Sequence, residues 1–192
     1  MRALLLALSL VLAPSVSPAA SYKGYPEVPY RVERQAGAIE LRSYPPRIVA
    51  EVTVRADRER AVRRGFSELA GYIFGGNASD EKIAMTVPVA QTETPSGWIT
   101  RFTLPDGTAL DALPAPGDPA IVLRRLPAER MLVGRFSGRA TTARLNEAAG
   151  TLQAWAAANN VRVSGPPRFL FYDAPFTLPW DRRNEVGFVL AK

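Results

Sequence analysis

The sequence predicts an α+β fold in which two β-β-α-β-β units form one domain. Two segments carry apolar residues at helical spacing, and segments of alternating apolar and polar residues flank each of them. The order of these segments is the same in both halves of the chain, with an offset of 82 residues. Because neither half could bury the apolar side of its helix alone, we expect the two units to share one core.

Four segments of the first unit are predicted to be strands. Residues 39–42 and 48–54 come before the helix, and the second of them alternates between an apolar and a mixed face. Residues 83–91 and 98–104 follow the helix. Pro88 has no N–H to donate to a ladder, so the first of these later strands is expected to lie at an edge or a bulge.

A helix is predicted between these two strand pairs, from about residue 58 to 74. Asp57 suits its N-cap, because a carboxylate accepts hydrogen bonds from the free N–H groups of the first turn. Apolar residues follow at spacings of four, three and four, which places them on one face. They are Val62, Phe66, Leu69 and Ile73. Gly75 and Gly76 end the helix, since glycine adopts the left-handed conformation without a clash.

The second unit follows a long loop, residues 105–119, that contains four Pro and two Gly. Residues 39–45 can be aligned with 121–127 without a gap, and the plan after them is the same. The predicted elements are strands at 121–126 and 131–136, a helix at about 141–159, and strands at 168–172 and 185–191. The sequence therefore indicates an internal duplication.

The N-terminus has the pattern of a secretory signal. Arg2 precedes an apolar run at 3–12, and small residues follow it; the run is too short to span a bilayer. We predict a signal peptide at 1–20, an extended linker at 21–29 and a single domain at 30–192. Its pseudo-repeats would span about 38–104 and 120–191. The protein is expected to be periplasmic or secreted, without a stable membrane anchor.

Composition excludes several kinds of site. The chain contains no His and no Cys, which rules out disulfides, thiolate nucleophiles, Ser-His-Asp triads and imidazole ligands to iron. The formal charge of +6 favours anionic partners. Its basic residues are scattered through both halves and form no recognised nucleic-acid motif, so nucleic-acid binding is not expected.

Four separated segments resemble, in order and spacing, the signatures of the SOUL haem-binding protein family. They are residues 69–77 with 82–89, residues 42–47 with 50–52, residues 113–118 with 135–138, and residues 172–179 with 182–186. The resemblance extends from about residue 30 to 190. It implies a twisted antiparallel β-barrel flanked by two helices.

The resemblance also implies non-covalent binding of haem or another porphyrin in a hydrophobic cleft. This cleft would lie beside the first helix, near a loop close to the C-terminus. The matching positions are Val62, Arg63, Phe66, Leu69, Ala70, Ile73, Tyr172, Phe176, Arg182 and Arg183. Arg63, Arg182 and Arg183 are candidates to pair with the two propionates. Alternatively, the apolar helix face is ordinary core, and Arg183 pairs with Glu185.

Some relatives use a His ligand to iron, which this chain does not contain. Binding would then depend on hydrophobic contact, and Met85 and Tyr72 are weak candidates as iron ligands. Met131, Tyr44 and Tyr172 are further donors of the same kinds. Each of these side chains is also an ordinary packing residue.

The expected function is that of an exported, monomeric, non-enzymatic tetrapyrrole carrier or buffer. One alternative is a small-molecule hydrolase that uses Glu51, Glu68 or Glu81 with a tyrosine in the cleft. Another is a binder of a different hydrophobic molecule, or a protein-interaction module on the same fold. A cleft carboxylate with a raised pKa beside a Tyr hydroxyl would favour the hydrolase.

Overall fold

The computed structural model of the chain describes residues 20–191. The predicted signal peptide therefore lies outside the described residues, except for Ala20. The strands are β1 (Ser21–Tyr22), β2 (Tyr25–Pro26), β3 (Arg31–Ala36), β4 (Ile39–Tyr44), β5 (Arg47–Val54), β6 (Val89–Thr94), β7 (Gly97–Thr103), β8 (Val122–Leu126), β9 (Glu129–Phe136), β10 (Val163–Phe171) and β11 (Asn184–Leu190). The α-helices are α1 (Arg58–Ile73) and α2 (Thr142–Ala158). Short 3-10 turns occur at Leu110–Ala112 and Pro179–Asp181.

Nine of these strands form one antiparallel sheet in the order β3-β4-β9-β11-β10-β6-β7-β5-β8. The α+β class and the two flanking helices are thus confirmed. The expected closed barrel is wrong, because within residues 20–191 β3 pairs only with β4 and β8 pairs only with β5, which leaves both ends of the sheet open. Every residue of β3 is exposed, and β8 spans only five residues, so neither edge offers a long surface for closure.

The two halves of the sheet interlock. β4 from the first half pairs with β9 from the second, and β5 pairs with β8. If β4 to β7 are exchanged with β8 to β11, the order of these eight strands reads the same in reverse. An internal duplication predicts this symmetry, and the duplication itself stays a prediction.

Both helices follow their predicted bounds closely. The Asp57 side chain accepts a hydrogen bond from the backbone N–H of Arg60 at 3.0 Å, and Thr141 caps α2 in the same way. α1 packs against β5 and β7, and α2 packs against β9, β10 and β11. The buried residues of the two helices are Ala61, Gly65, Leu69, Tyr72, Ile73, Leu145, Ala149, Leu152 and Ala156.

The sheet has an apolar core on each face. Leu132 and Val186 belong to the larger core under the helices, whereas Met131 and Val133 belong to a smaller core on the other face. This split follows from the two-residue period of a strand, which sends successive side chains to opposite faces. We call these sides the helix face and the open face. The open face is partly covered by the N-terminal segment, which includes Val28.

Two segments differ from expectation. The predicted strand at 83–91 begins only at Val89, and its first part is an irregular connection whose apolar side chains, such as Ile83, pack on the helix-face core without a ladder. The segment at 21–29, predicted to be a linker, contains the β1–β2 hairpin and packs on the sheet. There, the Val28 N–H donates to the carbonyl of Val87 at 2.8 Å.

Gly65 fixes the approach of α1 to the sheet, and its replacement tests this packing. A Cβ at Gly65 would lie 2.6 Å from Thr100 Oγ1 and 2.9 Å from Thr100 Cβ. We expect Gly65→Ala to lower the free energy of unfolding by about 1–3 kcal/mol, because the clash must be relieved by moving the helix. Urea unfolding followed by circular dichroism measures this change.

Gly71 provides the matched control on the same helix. A Cβ at Gly71 meets no atom within 4 Å. Gly71→Ala should therefore raise the free energy of unfolding by about 0.5–1 kcal/mol through helix propensity alone. Equal effects of the two substitutions would contradict the close packing of α1 at Gly65.

Candidate ligand-binding site

The outer flank of α1 carries part of the predicted ligand site. Phe66 is 40% exposed and packs edge-on against Phe102, with 5.4 Å between ring centroids. Val62 and Ala70 are half-buried on the same flank, and Arg63 is exposed. The structure instead buries two other predicted positions, Leu69 and Ile73, in the helix-face core.

The loop between β10 and β11, residues 172–183, is called the C-terminal loop below. It exposes three large apolar side chains, with Phe176 89%, Trp180 71% and Leu178 51% exposed. Arg182 stabilises the shape of the loop, because its Nε donates to the carbonyl of Thr177 at 2.7 Å and its Nη2 donates to that of Pro175 at 2.5 Å. Phe176 and Arg182 are two of the positions that the sequence predicts to bind the ligand.

A three-residue segment before α2, residues 138–140, forms hydrogen bonds with both α1 and the C-terminal loop. An Nη1 of Arg58, the first residue of α1, donates to the carbonyl of Ala140 at 3.3 Å. The Gly138 N–H donates to the carbonyl of Pro179 in the loop at 2.8 Å. The N-terminus of α1 and the loop therefore adjoin the same short segment, on the helix face of the sheet.

Arg58 is a cation that the sequence prediction missed. Its guanidinium lies 5.9 Å from the ring centroid of Trp98 and 5.6 Å from that of Phe171, and its Nε is buried without a hydrogen-bond partner. Burial lowers the pKa of Arg58, and the nearby charge of Glu59 opposes this only in part. The sequence does contain an indication of this position, because Arg58 lies four residues before Val62 and therefore on the same side of the helix.

Tyr172 and Arg183 lie on the open face instead. The Arg183 Nε donates to Glu185 at 2.9 Å, and its Nη2 donates to Glu27 at 2.8 Å. The Arg183 guanidinium also stacks 3.7 Å from the ring centroid of Tyr172. The alternative interpretation of Arg183, as the partner of Glu185, is the one observed. These two residues are not brought together with the flank of α1.

Glu185 is the centre of this charged cluster and is fully buried. Arg42 binds both of its oxygens, at 2.7 and 3.0 Å, and the Tyr172 hydroxyl donates to it at 3.0 Å. Burial by itself would raise the pKa of Glu185, but the hydrogen bonds and charges of Arg42 and Arg183 outweigh burial and hold the pKa below its usual value. Burial raises the pKa of the neighbouring Tyr44 to about 12.

The weak candidates for iron ligation are placed unfavourably. The Tyr72 side chain is buried, its hydroxyl donates to the carbonyl of Pro114 at 3.1 Å, and burial raises its pKa. Met85 is half-buried against the helix-face core, and the Met131 sulfur accepts a hydrogen bond from Arg168. Within residues 20–191, no three His, Cys, Asp or Glu side chains form a group that could hold a metal ion.

Two of the three carboxylates considered for hydrolysis are paired with arginines, and the third is exposed. Glu51 accepts hydrogen bonds from Arg101 and Arg124, and Glu68 accepts one from Arg64 at 2.6 Å. Glu81 is exposed. The carboxyl groups whose pKa departs clearly from its usual value, in the part of the chain that the structure describes, are all lowered. They are Glu33, Glu129, Asp173 and Glu185.

Two larger cavities lie away from the flank of α1 that carries Phe66. One, of ≈ 450 Å³, lies between the N-terminal segment, the turn before β5 and the loop after β7, and Arg47 is part of its lining. The other is an open groove of ≈ 710 Å³ on the opposite flank of α1, lined by Glu68 and Tyr72 among others.

Among the described helices, none is long and apolar enough to cross a membrane.

Comparisons with known sequences agree with the resemblance noted above. The profile of a family described as "SOUL heme-binding protein" matches residues 25–189. Heme-binding protein 2 of Mus musculus is 27% identical to the chain over 176 residues. This alignment covers 85% of the chain and 83% of the mouse protein.

Similar solved structures support the fold. The EcmrR C-terminal domain has a TM-score of 0.58 at 14% identity and covers 85% of this chain and 98% of that one. A hydrolase from Listeria innocua has a TM-score of 0.54 at 9% identity, with coverages of 83% and 94%. At these identities the likeness concerns the fold alone.

Removal of the charge of Glu185 tests the buried cluster. We expect Glu185→Gln to lower the free energy of unfolding by about 3–5 kcal/mol, because two buried arginines lose their shared counter-charge. Glu33→Gln is the control, since Glu33 pairs with the largely exposed Arg130, and its loss should cost about 0–1 kcal/mol. Urea unfolding near neutral pH measures both.

The same cluster predicts a loss of stability in acid. The folded-state pKa of Glu185 lies below the usual 4.5, so its contribution is complete above pH 4.5 and is lost as the pH falls through the folded-state value. The difference in unfolding free energy between the native protein and Glu185→Gln should shrink over that range. A difference that is independent of pH would show that the carboxylate charge is not what stabilises the cluster.

Proposed function

The chain belongs to the SOUL heme-binding protein family, and on that premise we propose that it holds haem or a related porphyrin non-covalently between α1 and the C-terminal loop. The observation that carries this proposal is Arg58, a half-buried cation at the start of α1 whose Nε has no acceptor among the described residues, beside the segment that binds the C-terminal loop. Phe66 and Phe176 supply apolar surface, and Arg58 supplies the cation. Haem is the ligand named for the mouse relative, Heme-binding protein 2.

The apolar contacts would provide most of the binding energy. Exposed aromatic side chains are costly in water, and a flat porphyrin that covers Phe66 and Phe176 would gain about 25 cal/mol for each Å² of apolar surface removed from water. Arg182 contributes indirectly, because its hydrogen bonds to two loop carbonyls keep Phe176 outside the core.

Arg58 is the best-suited partner for a propionate. Within the described residues its Nη1 donates to the carbonyl of Ala140, and its buried Nε lacks an acceptor. Arg183 is already bound to two carboxylates, and Arg182 is bound to loop carbonyls. A porphyrin carboxylate near Arg58 would satisfy the buried donor through a charge-assisted hydrogen bond.

Binding would not involve a histidine ligand, because the chain has none. The buried hydroxyl of Tyr72 and the packed Met85 fit poorly as iron ligands, so the side chains suit the porphyrin body better than its metal. Bound haem would supply a redox-active iron, whereas the chain itself would only hold and shield the ring. This division fits an exported, non-enzymatic carrier or buffer better than an enzyme.

Titrations with three porphyrins test this proposal. Haemin and metal-free protoporphyrin IX should bind with similar affinity, within about tenfold, since no imidazole selects the iron. Arg58→Gln should weaken both by about tenfold and leave the dimethyl ester of protoporphyrin unaffected, because the ester has no carboxylate for Arg58 to pair with. Soret absorbance and fluorescence quenching measure the affinities.

Arg64→Gln is the matched control, because Arg64 is an exposed arginine on the same helix and pairs with Glu68, which lies on the opposite flank. Its effect should be small, as is usual for a solvated charge. Strict dependence on iron would contradict binding without an axial ligand. Failure of all three porphyrins to bind would contradict the proposed function itself.

A further inference from the structure

The C-terminal loop has a second property that porphyrin binding does not require. Its tip, residues 174–181, carries Phe176, Leu178 and Trp180 at alternate positions, all of them more exposed than Phe66. We propose that this tip docks the protein on the surface of a lipid bilayer, preferably an anionic one. The docking is peripheral and reversible, and it uses residues that protrude from the fold.

Most carbonyl groups of the tip are already paired within the protein. Six of its carbonyl groups accept hydrogen bonds from within the protein: those of Ala174, Pro175, Thr177, Leu178, Pro179 and Asp181. Two of the tip residues are prolines, which have no N–H to satisfy. Because unsatisfied backbone groups oppose entry into lipid, this internal pairing lowers the cost of placing the tip in the membrane interface.

The side chains of the tip match the interfacial region of a bilayer. Tryptophan prefers the level of the lipid head groups, where its ring is buried and its indole N–H is hydrated. Phe176 and Leu178 extend the apolar contact on the N-terminal side of the short 3-10 turn Pro179–Asp181, which contains Trp180. Three side chains on one protruding loop are far smaller than a specific protein interface, which buries about 800 Å² on each partner.

The charges around the tip favour anionic lipid. The Lys23 ammonium donates to the carbonyl of Asp181 at 3.0 Å, Arg182 lies in the loop, and the exposed Arg139 follows Gly138, which binds the loop. The acidic side chains beside them are Asp173, which pairs with Lys23, and the exposed Asp181. The local balance is positive, as is the whole chain at +6. Basic groups beside an apolar tip are attracted to anionic head groups.

Vesicle binding by the full chain tests this inference. The probes are vesicles of phosphatidylcholine alone and vesicles in which about a quarter of the lipid is phosphatidylglycerol. We expect binding to the anionic vesicles, weakened by salt, and contact quenching of Trp180 by brominated lipid. Trp98 is buried and Trp155 is half-buried, so the Trp180→Phe variant identifies the quenched signal. An unquenched Trp180 would overturn the proposal.

The variant Phe176→Ser/Leu178→Ser/Trp180→Ser removes the apolar tip, and we expect at least about tenfold weaker vesicle binding. Phe74→Ser is the matched control, because Phe74 is 62% exposed at the other end of α1. All variants keep the same N-terminal residues, so a difference between them reports on the loop. Equal binding of the triple variant and the native protein would overturn docking through the tip.

A third measurement relates docking to porphyrin binding and rests on the proposed function. Because Phe176 serves both, protein preloaded with haemin should bind vesicles more weakly than the free protein. Equal binding would overturn the shared use of the loop. Haemin titration in buffer without vesicles keeps the two ideas separate, since its failure would count against the proposed function and leave the quenching result intact.

Discussion

The buried carboxylate of Glu185 is the interaction on which the rest of the structure depends. It lies on β11 and is fully inaccessible to solvent, so it needs several donors to remain charged. Arg42 of β4, Arg183 and Tyr172 provide them, and Arg183 also binds Glu27 in the N-terminal segment. Through these contacts, one carboxylate connects the middle of the sheet, the C-terminal end of the C-terminal loop and the N-terminal segment that covers the open face.

This cluster lies on the open face, opposite the helices. It occupies the open face with paired charges and aromatic rings, so Tyr172 and Arg183 serve the scaffold and are not available to a ligand near α1. It also anchors the C-terminal loop, because the backbone N–H of Arg183 donates to the side chain of Asp173 at 2.7 Å, which joins the two ends of the loop. The tip beyond that base protrudes from a fixed point. A rigid base with an exposed apolar tip combines stability of position with freedom to contact a partner.

Local sequence patterns predicted both helices well. They did not predict which residues pair across long distances in the sequence. Caps and helical spacing placed both helices within about one residue, because these signals lie in neighbouring residues. The pair of Arg42 and Glu185 joins residues 143 positions apart, which a single sequence does not reveal. The strand predicted at 83–91 begins only at Val89, because the apolar pattern before it reflects packing against the core without a ladder. Arg58 was not predicted, because arginine side chains are mostly exposed and its partial burial depends on contacts with Trp98 and Phe171.

The site and the docking tip share one constraint, which is the exposed apolar surface of the loop. A porphyrin that covers Phe176 takes away part of the surface that would enter a bilayer, and a bilayer that receives Phe176 and Trp180 hides that surface from a porphyrin. Two ligands that need the same surface bind with negative coupling, and the coupling is reciprocal. A membrane would therefore hold the empty protein, and a bound porphyrin would favour its release into water. That direction of exchange suits a carrier that collects an apolar ligand at a lipid surface.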